Sequence, residues 1–338
     1  MLRRVSACAL ALLAVACDAD PAMDVRGGAV SRRRGPFGSL RDFVLVDQAA
    51  GLFVDRFEAT QRDWADFSDT AEGRAVGAES VKIVGRMSLP AGGMDLLQAR
   101  AFARWRCGRL PSAREWQRVT EGGDRSPFPW GSKEDATRAN TGDLALGERM
   151  PVGTFESGRK SGGDWPYDLI GNVREWTESV PLEWCQDRSA DTSSFARSVR
   201  RARQQPCIAV WTDRFGLVPA GVLVFAGGVG VPRRCVGADY ETQMRFVRER
   251  RYDTQGPSER RMRTGLRVYA TSADLLRHLM SLDLDVSEDQ RQQLVAFVQR
   301  DGHRQALRRA YDSSPDLARA LAPKSAARVL LDEVFELQ

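Results

Sequence analysis

Histidine is almost missing. The 338 residues hold two, His278 and His303, both near the C-terminus. Hydrolase arrangements of the Ser-His-Asp or Cys-His kind therefore have no base over most of the chain. A facial set of histidines for non-haem iron is excluded there too. Lysine is scarce: Lys82, Lys133, Lys160 and Lys324 are the only four among fifty basic residues. The net charge of +5 is thus an arginine charge. Its clusters at 32–34, 200–203 and 248–251 are interleaved with acids or lie in loop-like sequence, which reads as solvated surface and gives no nucleic-acid partner. Beyond the N-terminus no apolar run is long enough to cross a bilayer, and the mean hydropathy is −0.39. The glycine pairs Gly92-Gly93, Gly162-Gly163 and Gly227-Gly228 fit no phosphate-binding loop.

The N-terminus has a processing signature. Arg3 and Arg4 precede a short apolar stretch, Val5 to Ala16, and then Cys17. Ala14-Val15-Ala16-Cys17 resembles a bacterial lipobox, in which the cysteine sulfur is acylated. The same residues also fit a secretory signal cut after Ala16, so lipidation and plain secretion both stay open. The expected organisation is a signal peptide over 1–16, a flexible tether over 17–40, a main domain over 41–271 and a helical region over 272–338. The expected location is a bacterial cell envelope, facing periplasm or exterior, with the membrane as partner through the lipid on Cys17.

Six cysteines support that compartment. Setting aside Cys8 and Cys17 leaves Cys107, Cys185, Cys207 and Cys235. An even number in an oxidising space predicts two disulfides. Three pairings exist. Cys185–Cys207 would staple the loop-rich stretch between them, which leaves Cys107–Cys235.

Periodicity predicts the main elements. Phe43–Val46 and Leu52–Phe57 are β-rich runs around Ala-Ala-Gly and read as a hairpin. Thr60 is placed to cap a helix from Gln61 to about Ser68. A second helix runs from about Met94 to Arg106. Ser112 and Glu115 form a capping-box pair at the start of a third. After residue 120 glycine, proline and tryptophan dominate and regular structure becomes sparse.

Eight segments in order then carry a family likeness. They are Asp55-Arg56-Phe57-Glu58-Ala59-Thr60, the Gly108–Trp116 run GRLPSAREW, Phe128-Pro129-Trp130-Gly131, Ala139-Asn140, Pro151-Val152-Gly153, the Asp168–Trp176 run DLIGNVREW, Phe225-Ala226-Gly227-Gly228, and Thr264-Gly265-Leu266-Arg267. Together they resemble the formylglycine-generating-enzyme, or sulfatase-modifying-factor, family. The resemblance implies an α+β fold of the C-type-lectin-like formylglycine-generating-enzyme kind with sparse regular secondary structure. The C-terminal α-helical appendage lies outside it.

The resemblance also implies site residues. Asn172, the Val173 carbonyl and Glu175 are hard oxygen ligands in the segment that binds structural calcium in the family. Asn140 opens a second family calcium site, with Asp143 as a substitute acid. A buried polar network is the competing role for these residues. Family oxidases bind copper through two cysteines, four and nine residues past the second glycine of Gly-Gly-Ser. Here those positions are Pro232 and Gly237, the serine position is Val229, and Cys235 stands alone between them. One thiolate cannot make a bis-thiolate copper centre. Copper and non-haem iron are therefore not expected. A carboxylate-based chemistry would draw on Glu58, Glu175, Glu178 or Asp239, with Trp176 and Cys235 beside them. Trp116, Trp130 and Trp176 fit core or pocket-wall positions, and Arg109 and Arg267 fit structural ion pairs.

Residues 180–220, with Trp184 and Trp211, extend the family's loop before Gly-Gly. Residues 240–262 are charged, and both stretches would frame the family pocket. In the tail, Leu275, Leu276, Leu294, Phe297 and Leu307 have helical spacing and Pro315 and Pro323 punctuate it. Two functional readings stand. One is an exported ligand-binding or assembly module without copper-dependent activity, its ligand a protein or a small molecule. The other is an oxidoreductase or protein-maturation enzyme of the same superfamily with a non-standard residue set.

Overall fold

Strand β1 (Phe43–Asp47) pairs antiparallel with β2 (Leu52–Asp55), which also pairs antiparallel with β7 (Tyr269–Thr271). The two ends of the domain thus close one three-stranded sheet in the order β1-β2-β7. The second sheet has the order β5-β4-β3-β6, built from β3 (Arg174–Trp176), β4 (Arg233–Val236), β5 (Asp253–Gln255) and β6 (Thr264–Gly265). β3 pairs antiparallel with β4 and parallel with β6. This computed structural model describes residues 42–121, 125–181, 232–249, 252–281 and 288–314. Cys17, the signal and tether segments, Cys185, Cys207, Val229 and the tail beyond 314 lie outside the described residues.

Helix starts follow local chemistry. Thr60 caps α1 (Gln61–Ser68) in a capping box closed by Asp63. A short α2 (Ala71–Ala75) follows with Thr70 as cap. Helix α3 (Leu96–Trp105) starts two residues later than the periodicity predicts, because Asp95 and Gln98 form a capping box there. The residue after its C-cap, Cys107, sits at φ 70°, and Gly108 N–H donates to the Ala103 carbonyl at 2.8 Å. That left-handed turn ends the helix. Ser112 and Glu115 cap α4 (Ala113–Thr120) reciprocally, as their spacing predicts.

Trp64, Phe67, Phe102 and Trp105 form an aromatic cluster between α1 and α3, with centroids 5.4–5.5 Å apart. Each such buried side chain contributes roughly 1.5–3 kcal/mol. A short helix α5 (Met244–Arg248) sits against a second cluster with Trp116 and Val236.

The tail is not a separate layer. Helices α6 (Ser272–Ser281), α7 (Glu288–Val298) and α8 (His303–Ser313) send Leu275, Leu276, Leu294, Phe297, Ala306 and Leu307 into the same core as Phe43 and Phe53. The Phe297 and Phe53 rings lie 5.7 Å apart, and His303 packs edge-on to both. The C-terminal helical region thus packs its apolar face onto the first sheet within one core.

The expected Cys107–Cys235 disulfide does not form. Both are free, buried thiols. Cys107 follows α3, whereas Cys235 is held in β4 between β3 and β5. Both lie in the main core, but Cys107 sits in the left-handed turn that ends α3 while Cys235 faces Trp176 across the β3–β4 ladder, so the even count of cysteines does not translate into this pair.

Candidate functional site

The Asp168–Trp176 segment turns sharply before entering β3. Gly171 has φ 89°, and a Cβ there would lie 2.4 Å from the Asn140 carbonyl oxygen. Only glycine permits that approach. Asn172 follows at φ 63°, and its N–H donates to the same Asn140 carbonyl at 2.7 Å. Asparagine tolerates this left-handed backbone better than most residues. The turn aims the Asn172 side chain inward. Its Nδ2 donates to Glu58 Oε2 (2.7 Å) and to the Met150 carbonyl (3.1 Å). Its Oδ1 accepts from Met150 N–H (2.9 Å) and from Asn140 Nδ2 (3.2 Å).

Glu58 also accepts from the Val173 N–H at 3.2 Å. Two residues on, Glu175 meets Arg267, whose Nε donates to Glu175 Oε1 at 2.8 Å. Arg267 Nη1 donates to the Asp55 and Arg56 carbonyls, both at 3.1 Å, and Nη2 to the Asp168 carbonyl at 3.2 Å. The Asp168 carboxylate accepts from Gly153 N–H at 2.6 Å. From the segment between β6 and β7, one guanidinium therefore ties together the end of β2, the start of the Asp168–Trp176 segment and β3.

The node is short of positive charge. Glu58, Asp168 and Glu175 are all buried around Arg267. Burial, and after it the charge of Asp168, pushes the Glu58 carboxyl well above its usual range. Burial pushes Asp168 up to about 6, against the opposing hydrogen bond from Gly153. Burial raises Glu175 as well, against the pull of Arg267.

Of the residues expected to hold calcium, Asn140, Asn172 and Glu175 belong to this network, in which Asn140 Oδ1 and Glu175 Oε2 are buried oxygens without a hydrogen-bond partner among the described residues. Asn172 uses both ends of its amide on protein partners, and a guanidinium occupies one oxygen of Glu175. Asn140 Nδ2 donates to the Glu148 carbonyl at 2.8 Å, and Asp143 accepts from Met244 N–H. Calcium takes six to eight oxygen ligands and would have to displace these bonds. Among the described residues no group of three His, Cys, Asp or Glu side chains is arranged to hold a metal.

Around the family's thiol positions, Pro232 directly precedes β4 and Gly237 directly follows it, at φ 78°. Cys235 faces Trp176 across the β3–β4 ladder. Trp176 is wholly buried and donates from Nε1 to the Met94 carbonyl at 3.2 Å, so it is core and not pocket wall. Burial drives the Cys235 thiol strongly upward, and Cys107 is pushed up to about 12 by the same cause. Neither is poised as a thiolate. Of the carboxylates considered for catalysis, Glu58 and Glu175 are each 1% exposed and Asp239 is fully buried with Arg174. Glu178 is more open. Arg100 forks it, with Nε to Oε1 at 2.7 Å, and Arg233 Nε lies 3.8 Å from Oε2. Arg109 pairs with Glu115 at 2.6 Å, which braces the first turn of α4.

The roles of Asp168 and Gly153 in the node escape sequence reasoning. They are 15 positions apart and meet only through a turn. A cavity of about 490 Å³, lined by Val76, Arg104, Trp105 and His278 among others, contains none of the node residues.

With the fold and node in view, the chain belongs to the family of the sulfatase-modifying factor enzyme 1-like domain, whose model matches residues 25–272. It is similar to the inactive C-alpha-formylglycine-generating enzyme 2 of Bos taurus, with 37% identity over 24% of this chain and 30% of that protein. It is similar to the formylglycine-generating enzyme of Mycobacterium tuberculosis (35% identity; 34% of this chain, 43% of that protein). The hercynine oxygenase of the same organism shares 33% identity over 27% of this chain and 22% of that protein. The matched stretches thus span less than half the length of these relatives. Among solved structures, PvdO from Pseudomonas aeruginosa aligns with a TM-score of 0.38 and 19% identity over 65% of this chain and 80% of that one.

Proposed function

We propose that this chain is an exported, lipid-anchored member of the family that has lost copper-dependent formylglycine formation and works as a binding or assembly module. One observation carries the reading. The two positions where the family's oxidases place thiolates are Pro232 and Gly237, flanking a four-residue strand whose only cysteine is 1% exposed and opposes Trp176. Copper chemistry of the bis-thiolate kind needs two soft ligands on one open site. A relative named as an inactive formylglycine-generating enzyme is in keeping with this. The alternative, a carboxylate-based oxidoreductase, is less well supported, because Glu58, Glu175, Trp176 and Cys235 are each at most 1% exposed.

The test is direct. The purified chain is given copper(I), oxygen and a cysteine-containing sulfatase-type peptide. No thiol-dependent oxygen consumption is expected, and turnover would overturn the reading. Anchoring rests on Ala14-Val15-Ala16-Cys17 and is tested separately by labelling cells with palmitate. Label on the wild type and none on Cys17→Ala is expected, and equal labelling of both would remove it.

A further inference from the structure

Residues 82–87, Lys-Ile-Val-Gly-Arg-Met, are all exposed. Single exposed apolar side chains are ordinary. Here three of them, Ile83 (42%), Val84 (52%) and Met87 (41%), fall within five residues. A loop of that composition would normally collapse inward or be shielded.

This one is held open from beneath. Gln61, itself 2% exposed, spends its whole side-chain amide on the loop. Its Nε2 donates to the Val84 carbonyl at 2.6 Å and the Arg86 carbonyl at 3.1 Å, and its Oε1 accepts from the Val84 N–H at 2.5 Å. The first turn of α1 pins the exit, with Arg62 N–H to the Met87 carbonyl at 3.1 Å and Gln61 N–H to the Leu89 carbonyl at 2.9 Å. The backbone faces in and the apolar side chains are left outside at no further ordering cost on binding.

The charge within the loop has one sign. Lys82 and Arg86 make no ion pair among the described residues, and the loop has no acid. Of the nearest carboxylates along the chain, Glu79 precedes the loop and Asp95 is taken by Arg260. Apolar side chains between free cations match an anionic lipid surface, where the side chains enter the interface and the cations meet headgroups.

We propose that residues 82–87 are a membrane-contact loop for an anionic lipid surface. The proposal rests on the envelope reading above for its setting, and it is tested without the acyl chain so that the two can fail separately. The probe is the full chain carrying Cys17→Ser, mixed with phosphatidylcholine vesicles with or without roughly one quarter phosphatidylglycerol. The readout is amide hydrogen exchange at 82–87, which ignores any binding by the N-terminal segment. Exchange should slow at least about threefold with the anionic vesicles only, and the effect should fade at high salt. Ile83→Asp with Val84→Asp should abolish it, and Lys82→Glu with Arg86→Glu should weaken it about fivefold per cation. Unchanged exchange at the loop, or equal protection by neutral vesicles, overturns the proposal.

Discussion

Arg267 and Glu175 form an ion pair in which neither side chain is more than 2% exposed, with Nε to Oε1 at 2.8 Å. The pair joins the segment between β6 and β7 to β3. Removing the cation leaves a carboxylate with no counter-charge in a dry site. Arg267→Met should cost about 3–5 kcal/mol in denaturant unfolding. Glu175→Gln in that background should recover part of the loss, and a double-mutant cycle would measure the coupling. A cost below about 1 kcal/mol for Arg267→Met would mean that the node does not hold the domain.

Asp168 sets a pH dependence. Its folded value of about 6 lies above its unfolded value near 3.8, so between them the native state binds more protons than the unfolded chain. Stability then falls as pH rises through that window, and the loss is complete above about 6. Its size is at most about 3 kcal/mol. Glu58 and Glu175, both raised by burial, face the same group, and Arg267 stays charged beside it. Asp168→Asn keeps the acceptor for Gly153 N–H and tolerates the φ of 50° at this position. It should flatten the melting-temperature profile between roughly pH 4 and 6. A profile no flatter than wild type would refute the assignment.

Calcium should not stabilise the protein. Asn172 and one oxygen of Glu175 are already committed to Glu58, Met150 and Arg267. A ligand that binds only the native state stabilises it by RT ln(1 + L/Kd), with L its free concentration, so the melting temperature rises with the logarithm of L once L exceeds Kd. Calcium and EDTA should both leave it unchanged, and a rise with calcium would show that the amide and carboxylate reorganise around the ion.

The free thiols should be silent until the chain opens. Cys107 and Cys235 are 6% and 1% exposed, and burial raises both thiols. A thiol reagent followed by peptide mapping should modify neither in the native protein and both in denaturant. Fast native labelling of Cys235 would reopen an accessible site at β4.

The C-terminal helices should be indispensable to the domain. Phe297 meets Phe53 and His303 inside the main core. Phe297→Ala should cost about 3–5 kcal/mol. It should also lower the melting of the whole domain in one transition, read by circular dichroism. A separate, earlier transition for the helices would show them to be an independent unit.

Where chemistry is local, the sequence was sufficient. Thr60 with Asp63 and Ser112 with Glu115 cap their helices as their three-residue spacing requires, because a cap is satisfied within one turn. The ordered motifs from Asp55 to Arg267 determined the family, and the residues at 232 and 237 show that neither thiol position of the family's oxidases holds a cysteine here. The tertiary structure alone decided which distant groups share an environment. It placed Asp168 and Glu58 beside Arg267, left Cys107 and Cys235 as free thiols, sank Trp176 into the core and drew the last helices onto Phe53. Those outcomes depend on long-range packing and on how much water each polar group loses, and neither is written in the spacing of residues along a chain.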